Sequence, residues 1–266
     1  MTDEFVYKVK KPYAYDHLRL GTPEARYQNC QDEVSLNNRL APEVYIGVVP
    51  VVRKQDDTLA LRREPKAEVV DWLVKMKRLP SDSMLDACLR SHSMMKPAKL
   101  EPVADLLASF YVSGEAVDTS AENYVQKLAD TLDGCREELL TSLYNLPVLP
   151  VNAIYDHLRK FAVREQELFT VRVKGGYIVE GHGDLKPEHI CLEPPVVIDC
   201  LEFDRKLRIL DTIDDLTFLA LECDLLGAPW IATFFLTRYQ KKNRAIRTRK
   251  YFLPGIKVCE PMFVPS

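Results

Sequence analysis

The sequence predicts an α+β fold, in which a small β-rich part is followed by a larger, mainly helical part. Alternating apolar segments are concentrated before residue 80, helix-period segments follow, and one pair of short apolar strands interrupts those helices. The chain has 266 residues, which is enough to bury a sizeable core. We therefore predict two regions, residues 1–79 and residues 80–266, with the boundary in the turn Pro80–Ser83.

In the first region, the pattern predicts a strand, a helix and three more strands. Phe5–Lys10 alternates apolar and polar residues and is rich in β-favouring types. Thr22-Pro23-Glu24 begins the helix with a capping residue, a proline in the first turn and an acid, and the helix extends to about Arg39. The other strands are predicted at Val44–Val52, Leu59–Arg62 and Val69–Met76.

The second region is predicted to be helical apart from one β-hairpin. The hairpin strands are Ile190–Leu192 and Val196–Cys200, and Pro194-Pro195 separates them. Gly255–Ser266, at the end of the chain, is predicted to be a loop. Helix-period spacing is found in Met84–Leu89, Leu100–Val112, Ala121–Tyr144, Ile154–Val171 and Leu210–Leu226.

Composition excludes several classes of protein. Apolar residues make up 47% and charged residues 28% of the chain, the net charge is −3 and the pI is about 6.0, which gives no indication of a nucleic-acid or membrane-surface partner. The longest apolar runs, such as Trp230–Leu236, are shorter than the roughly 20 residues of a membrane span. The first residues, MTDEFVYKVKK, contain acids where a signal peptide has bases. We therefore expect a cytoplasmic protein.

Cysteine and glycine patterns exclude further classes. The seven cysteines are dispersed and form no C-x-x-C pair, so we expect free thiols and neither a zinc cage nor a disulfide framework. The sequence has neither the G-x-x-x-x-G-K-[ST] motif of P-loop proteins nor the G-x-G-x-x-G motif of dinucleotide-binding domains.

Candidate functional residues are concentrated in GHGDLKPEHICLEPPVVID, residues 181–199. Asp184 follows His182-Gly183, His189 lies five positions later, and Asp199 ends the apolar run on the other side of the hairpin. Two acids and one further ligand at this spacing can converge on a divalent cation, and Asp184 can accept a proton from a hydroxyl. A metal-dependent hydrolase using both histidines is an alternative, but it needs ligands from further elements; the other histidines are at positions 17, 92 and 157.

Together, H-G-D-L, the spaced ligand position, the hairpin and Val197-Ile198-Asp199 resemble the catalytic segment of aminoglycoside phosphotransferase-like enzymes, which share the protein-kinase fold. The resemblance implies a two-lobe fold and ATP-dependent phosphoryl transfer to a small-molecule hydroxyl. It implies that Asp184 is the catalytic base, that Asp199 is the Mg²⁺ ligand and that His182 holds the catalytic loop. Downstream, Leu210–Leu216 resembles the D-x-x-x-D-L-A segment of the family, so Asp211 is expected to support the loop and Asp215 to begin a helix.

The resemblance extends to the first region. Tyr7–Lys10 is similar to the strand whose lysine binds the α and β phosphates, and Glu33 of the following helix would orient that lysine. Lys8 and Lys10 face the same side of the strand, so both are candidates, and we prefer Lys8. Tyr45–Pro50 resembles a branch of the superfamily in which the kinase-like domain is often fused to a P-loop ATPase domain. This implies a functional link to such a domain.

Two departures from the family pattern affect the predicted function. His189 replaces the usual asparagine, and imidazole suits Mn²⁺, zinc or iron better than Mg²⁺. Either His189 binds a metal, or it bonds the loop while Asp199, alone or with Glu202, holds the ion. The chain also begins four residues before the lysine strand, so we expect the first kinase strands and the glycine-rich turn to be missing, as in a short or truncated form. The alternative function is therefore a catalytically impaired kinase-fold binding or regulatory module.

Overall fold

A computed structural model describes residues 2–12, 14–15, 18–61, 67–91 and 95–243. Strands and helices occur in mixed order, which confirms the predicted α+β class. The strands are β1 Phe5–Val9, β2 Ala14–Tyr15, β3 Leu18–Arg19, β4 Tyr45–Arg53, β5 Leu59–Ala60, β6 Glu68–Lys77, β7 Ile178–Glu180, β8 Ile190–Leu192, β9 Pro195–Val197 and β10 Ile209–Asp211. The helices are α1 Pro23–Asn37, α2 Leu85–Arg90, α3 Pro97–Ser113, α4 Ala121–Leu139, α5 Val148–Arg164, α6 Gln166–Lys174, α7 Arg205–Arg208, α8 Thr212–Leu225 and α9 Trp230–Lys242.

An antiparallel sheet with the order β1-β6-β4-β5 carries the lysine strand. Lys8 of β1 lies opposite Val74 of β6, and Val74 also lies opposite Val48 of β4. Helix α1 begins as predicted, because the Thr22 side chain accepts a hydrogen bond from the backbone N–H of Ala25 at 3.2 Å. The sheet and its capped helix form the framework that carries Lys8 and Glu33.

One hydrophobic cluster joins α1 and this sheet to the β8–β9 hairpin. Cys30 of α1, Val74 of β6 and Tyr45 of β4 pack with Cys191 and Val196 of the hairpin, and all five are buried. Burial of apolar side chains on both sides of this contact stabilises it by about 25 cal/mol for each Å² removed from water. The cluster therefore fixes the hairpin, and with it Asp199, relative to the lysine strand.

Helices α3, α8 and α9 form the helical support of the candidate site. Their buried faces follow helical spacing, as in Leu216, Leu219 and Cys223 of α8. The Thr212 hydroxyl at the start of α8 lies 2.7 Å from the Tyr239 hydroxyl of α9. A hydroxyl pair in this buried region adds a directional contact to the apolar packing.

The described residues divide into two compact units. One takes its members from Met1–Gly114 and Glu180–Ser266, and the other is Glu115–Val179. The second unit contains α4, α5 and α6, with α4 capped by the Ser120 side chain. All the candidate site residues belong to the first unit. The predicted boundary after residue 79 stays a prediction.

Several elements differ from those expected. The predicted helix Ile154–Val171 is two helices, α5 and α6, because Glu165 between them has a non-helical backbone with φ of −99° and ψ of 29°. Strands β7 and β10 and helix α9 were not predicted. The predicted strand Leu59–Arg62 contains only Leu59–Ala60 in β5, and both Arg62 and the predicted loop Gly255–Ser266 lie outside the described residues.

The described part of the chain contains six of the seven cysteines. Six cysteines there have free thiols, while Cys259 lies outside it. Within the same residues, no helix has the length and apolar character needed to cross a membrane.

Candidate active site

The predicted catalytic loop, which carries His182 and Asp184, follows β7 and depends on a glycine in a left-handed conformation. Gly183 has φ of 84°, and a Cβ at this position would lie 3.1 Å from Arg208 Cγ. A larger residue would therefore add both backbone strain and a close contact. The conformation places His182 and Asp184 on either side of this turn.

The buried Asp215 side chain of α8 binds the backbone of this loop. Its carboxylate accepts the backbone N–H groups of His182 at 2.6 Å and Gly183 at 3.0 Å, and also the Tyr111 hydroxyl at 2.9 Å. Asp211 instead caps α8, because its side chain accepts the Ile213 N–H at 2.9 Å. The structure therefore places Asp215 against the loop and Asp211 at the start of α8.

His182 is fully buried and uses both ring nitrogens within the protein. Nε2 lies 2.9 Å from the Ile198 carbonyl oxygen, and Nδ1 accepts the Asp184 N–H at 3.3 Å. A carbonyl can only accept, so Nε2 carries the proton. Burial lowers the pKa of His182, which keeps the ring neutral. This arrangement braces the loop and leaves no ring nitrogen for a metal.

The hydrolase alternative receives no support from this geometry. It required His182 as a ligand, and in the described part of the chain no group of three or more histidine, cysteine, aspartate or glutamate side chains is arranged to hold a metal ion. His17 and His92 lie outside the described residues, and His157 is exposed on α5 of the other unit.

Asp184 is partly exposed and paired with a lysine that the sequence analysis missed. Lys186 Nζ lies 2.9 Å from Asp184 Oδ1. The hydrogen bond to Asp184 raises the pKa of Lys186, so the pair is ionic. The sequence contained one indication of this pair: Lys186 lies two positions after Asp184, so its side chain can reach the carboxylate.

His189 lies between the two aspartates of the site. Its Nδ1 lies 2.7 Å from the Asp184 carbonyl oxygen, and its Nε2 lies 3.7 Å from Asp199 Oδ2. The structure therefore brings His189 to the position that its spacing predicts. Its backbone carbonyl also joins the loop to the segment after β9, since the Ile198 N–H donates to it at 2.9 Å.

Asp199 has an unusual backbone for a non-glycine residue, with φ of 61°. A left-handed conformation costs about 1–2 kcal/mol for an L-residue, and aspartate tolerates it better than most. The Asp199 N–H donates to the Tyr45 hydroxyl at 3.1 Å, a contact that the sequence did not indicate. Burial alone would raise the pKa of Asp199, but the adjacent Lys8 and its hydrogen bond lower it, so the carboxylate stays ionised.

Lys8 and Lys10 both reach the fully buried carboxylate of Glu33. Lys8 Nζ lies 3.0 Å from Glu33 Oε1 and 2.6 Å from Asp199 Oδ1. Lys10 pairs with the other Glu33 oxygen and with Glu202. The Lys10 side chain is 6% exposed, whereas that of Lys8 is 35% exposed. Lys8 is thus the lysine beside the predicted metal aspartate, and Lys10 holds Glu33 from the inside.

Two residues at the end of α1 position the site without having been predicted. The Asn37 side chain accepts the Cys200 N–H at 2.9 Å, next to Asp199. The Arg39 guanidinium donates to the carbonyl oxygens of Glu180 at 2.9 Å and Gly181 at 3.1 Å, where the catalytic loop begins. Such contacts depend on tertiary structure, which leaves little local signal in the sequence.

The residues present fit a nucleotide with a divalent cation. Magnesium in phosphoryl-transfer sites uses one or two carboxylates together with phosphate oxygens and water. Asp199 provides an ionised carboxylate, and Lys8 provides an accessible ammonium beside it. The lysine on β1, the glutamate on α1 and the hairpin aspartate come together in the structure, and hydrogen bonds join the H-G-D loop to the same hairpin.

Comparisons with known proteins were made by family, by sequence and by structure. No protein-family model matches the chain. It is 29% identical over 244 residues to the uncharacterized proteins Rv2004c of Mycobacterium tuberculosis (strain H37Rv) and Mb2027c of Mycobacterium bovis. The match covers 89% of this chain and 46% of each relative, so the chain spans about half the length of these curated relatives.

Two solved structures are also similar to the chain. They are the GDP and kanamycin complex of APH(2″)-IIIa, with 16% identity and a TM-score of 0.38, and the GDP complex of wild-type aminoglycoside 2′-phosphotransferase-IIIa, with 13% identity and a TM-score of 0.37. Each match covers 97% of this chain, and 86% and 85% of the respective solved chains. Both solved structures are of aminoglycoside phosphotransferases.

Proposed function

We propose that this protein transfers the γ-phosphoryl group of ATP to a hydroxyl of a small molecule. The observation that carries the proposal is the ion-pair chain Glu33–Lys8–Asp199, which begins in α1, passes through the sheet and ends at the hairpin. It brings together three groups that phosphoryl transfer requires and that lie far apart in sequence. The catalytic loop with Asp184 is connected to the same hairpin through His182 and His189.

Each residue has a role in this proposal. Lys8 binds the α and β phosphates and is held by Glu33, whose other oxygen pairs with Lys10. Asp199 holds the divalent cation, which when bound neutralises charge on the β and γ phosphates. Asp184 orients the acceptor hydroxyl and accepts its proton late in the transfer, while Lys186 fixes the Asp184 carboxylate. Catalysis rests mainly on positioning and on charge stabilisation, because the transition state is loose.

The direct test is phosphoryl transfer by the purified protein. ATP and GTP are offered with Mg²⁺ or Mn²⁺ and a panel of aminoglycosides, sugars and amino alcohols, and products are followed by ³¹P NMR. We expect Asp184→Ala to lower turnover by about 10²- to 10⁴-fold and to leave the nucleotide Kd nearly unchanged. Asp156→Ala, at an exposed position of α5, is the matched control. Absence of turnover with every acceptor, with no effect of Asp184→Ala, excludes the proposal.

A nucleotide-binding or regulatory module without catalysis is the second candidate. It is favoured by His189, which stands where the family pattern has asparagine and whose ring bonds the Asp184 carbonyl. A thermal-shift titration separates the two functions. Nucleotide and metal at 100 times their Kd stabilise a binding-competent protein by about 2.7 kcal/mol, and this shift without any phosphoryl transfer supports the module.

The wider predictions remain proposals for the chain. The acceptor, the cytoplasmic location and the link to a P-loop ATPase domain are not needed for the proposed chemistry. The curated relatives are about twice as long as the matched region, so a partner domain is proposed to act together with this one. Co-purification of this chain with a separately expressed remaining half of such a relative tests that link.

A further inference from the structure

His189 presents one protonated and one unprotonated ring nitrogen to the site. Nδ1 lies 2.7 Å from the Asp184 carbonyl oxygen, which can only accept, so Nδ1 carries the proton. In the neutral ring the lone pair is then on Nε2. Histidines that bind metals commonly donate their other ring N–H to a backbone carbonyl in this way, which fixes the ring and its tautomer.

The Asp199 carboxylate divides its two oxygens between two partners. Oδ1 contacts Lys8 at 2.6 Å, whereas Oδ2 faces His189 Nε2 at 3.7 Å, which is beyond hydrogen-bonding distance. Two atoms that both carry lone pairs thus face each other. Ligand atoms about 2.1 Å from a cation lie about 3.0–3.4 Å apart at octahedral or tetrahedral angles, so an approach of a few tenths of an ångström completes the geometry.

We propose that His189 Nε2 and Asp199 Oδ2 bind the divalent cation together, and that this nitrogen ligand makes the site prefer a first-row transition ion such as Mn²⁺ to Mg²⁺. The inference rests on the proposed function for the phosphate oxygens that complete the coordination. Mg²⁺ takes oxygen ligands almost exclusively, whereas imidazole suits transition ions. The position that accommodates asparagine in the resembling family thus sets the metal preference here.

The neighbouring groups support this assignment. The His189 side chain is 11% exposed, so little water competes for Nε2. His182, whose ring centre lies 5.9 Å from that of His189, has both nitrogens bonded to the backbone and is not an alternative ligand. The alternative occupant of the space between Nε2 and Asp199 is a proton, which would convert the pair to an imidazolium–carboxylate contact.

The first measurement compares metal affinities. The full chain with ADP is titrated with Mn²⁺, free Mn²⁺ is read by EPR, and Mg²⁺ affinity is obtained by competition. We expect His189→Asn to lower the ratio of Mn²⁺ to Mg²⁺ affinity by about 10- to 100-fold, the range found when support of metal ligands is removed. His157→Asn, at an exposed position of α5, is the matched control and leaves the ratio unchanged.

The second measurement detects the bond itself. Pulsed EPR of bound Mn²⁺ reports coupling to a coordinated nitrogen, and labelling the protein with ¹⁵N-histidine changes the pattern only if a histidine is the ligand. We expect this coupling in the wild-type protein and in His157→Asn, and its loss in His189→Asn. A histidine that only supports the loop gives no such coupling. If His189→Asn does not fold, the labelled wild-type spectrum still decides.

Three results overturn the inference: no Mn²⁺ binding, bound Mn²⁺ without histidine coupling, or equal metal preference in wild type and folded His189→Asn. The proposed function fails separately. Histidine coupling without phosphoryl transfer to any acceptor supports the metal assignment and counts against the transferase. Phosphoryl transfer without histidine coupling supports the transferase and counts against the metal assignment.

Discussion

Asp215 Oδ2 accepts the backbone N–H of His182 at 2.6 Å and so joins the start of α8 to the catalytic loop. The same carboxylate accepts Gly183 N–H and the Tyr111 hydroxyl, and its side chain is 2% exposed. The loop conformation therefore depends on one buried acceptor.

We expect Asp215→Ala to lower the free energy of unfolding by about 3 kcal/mol or more, because two buried donors and one half-buried donor lose their acceptor and each unsatisfied buried group costs about 1–3 kcal/mol. Urea denaturation measures the change. Asp156→Ala, which is exposed, serves as the control and should lie within about 0.5 kcal/mol of wild type. Equal stability of the two variants would show that Asp215 does not hold the loop.

Lys8 and Lys10 should separate nucleotide binding from stability. Lys10→Met removes a buried partner of Glu33 and Glu202, so it should cost on the order of 3 kcal/mol of folding stability. Lys8→Met removes a more exposed charge, which solvent screens, so its stability effect should be smaller while the nucleotide Kd rises at least about tenfold. Denaturation and nucleotide titration of both variants measure this, and the reverse order would make Lys10 the phosphate lysine.

Lys186 should affect turnover more than binding. Its ammonium lies 2.9 Å from Asp184 Oδ1 and fixes the carboxylate that is proposed to orient the acceptor. We expect Lys186→Met to lower kcat by about 10- to 100-fold, with little change in the nucleotide KM, and Lys186→Arg to restore part of the loss. Steady-state kinetics with an acceptor identified by the ³¹P NMR screen provide the measurement. An equal effect on the nucleotide KM would instead place Lys186 on the phosphates.

The Glu180 ion pairs should make stability depend on acid. Burial alone would raise the pKa of Glu180, but hydrogen bonds from Arg208 at 2.8 Å and Arg205 at 2.7 Å lower it. Because the folded pKa lies below the unfolded value of 4.5, this contribution is complete above pH 4.5 and is lost as the pH falls through the folded pKa.

The measurement compares wild type with Glu180→Gln in urea at about pH 7 and about pH 3. We expect the stability difference between them to be larger at the higher pH. Glu137→Gln, at an exposed position of α4, should show no such trend. A difference that stays constant with pH would mean that the arginines bind Glu180 without stabilising its charged form.

Local signals in the sequence predicted much of the fold. Thr22 and Pro23 marked the start of α1, and the alternating apolar runs marked β4, β6 and the hairpin, because capping and side-chain alternation depend on neighbouring residues alone. The break at Glu165 was missed since its backbone departs from the helix without a glycine or a proline to mark it.

The site was predictable in its residue types and less so in its contacts. The H-G-D-L spacing identified the loop, and Lys8 with Glu33 was expected from the resemblance. The sequence did not show which contact Asp211 and Asp215 each make, because both acids suit the first turn of a helix. Only tertiary packing turns Asp215 toward the loop. The Tyr45 contact to Asp199 and the Lys10–Glu202 pair likewise join segments far apart in sequence.

Three residues in or just beyond helix α1 contact three parts of the site. Glu33 binds the lysines, Asn37 one turn later binds the backbone beside Asp199, and Arg39 just beyond the helix binds the start of the catalytic loop. A ligand or a partner domain that tilts this helix would disconnect all three at once. The proposed activity is therefore open to regulation through α1, by a change that does not act directly on Asp184.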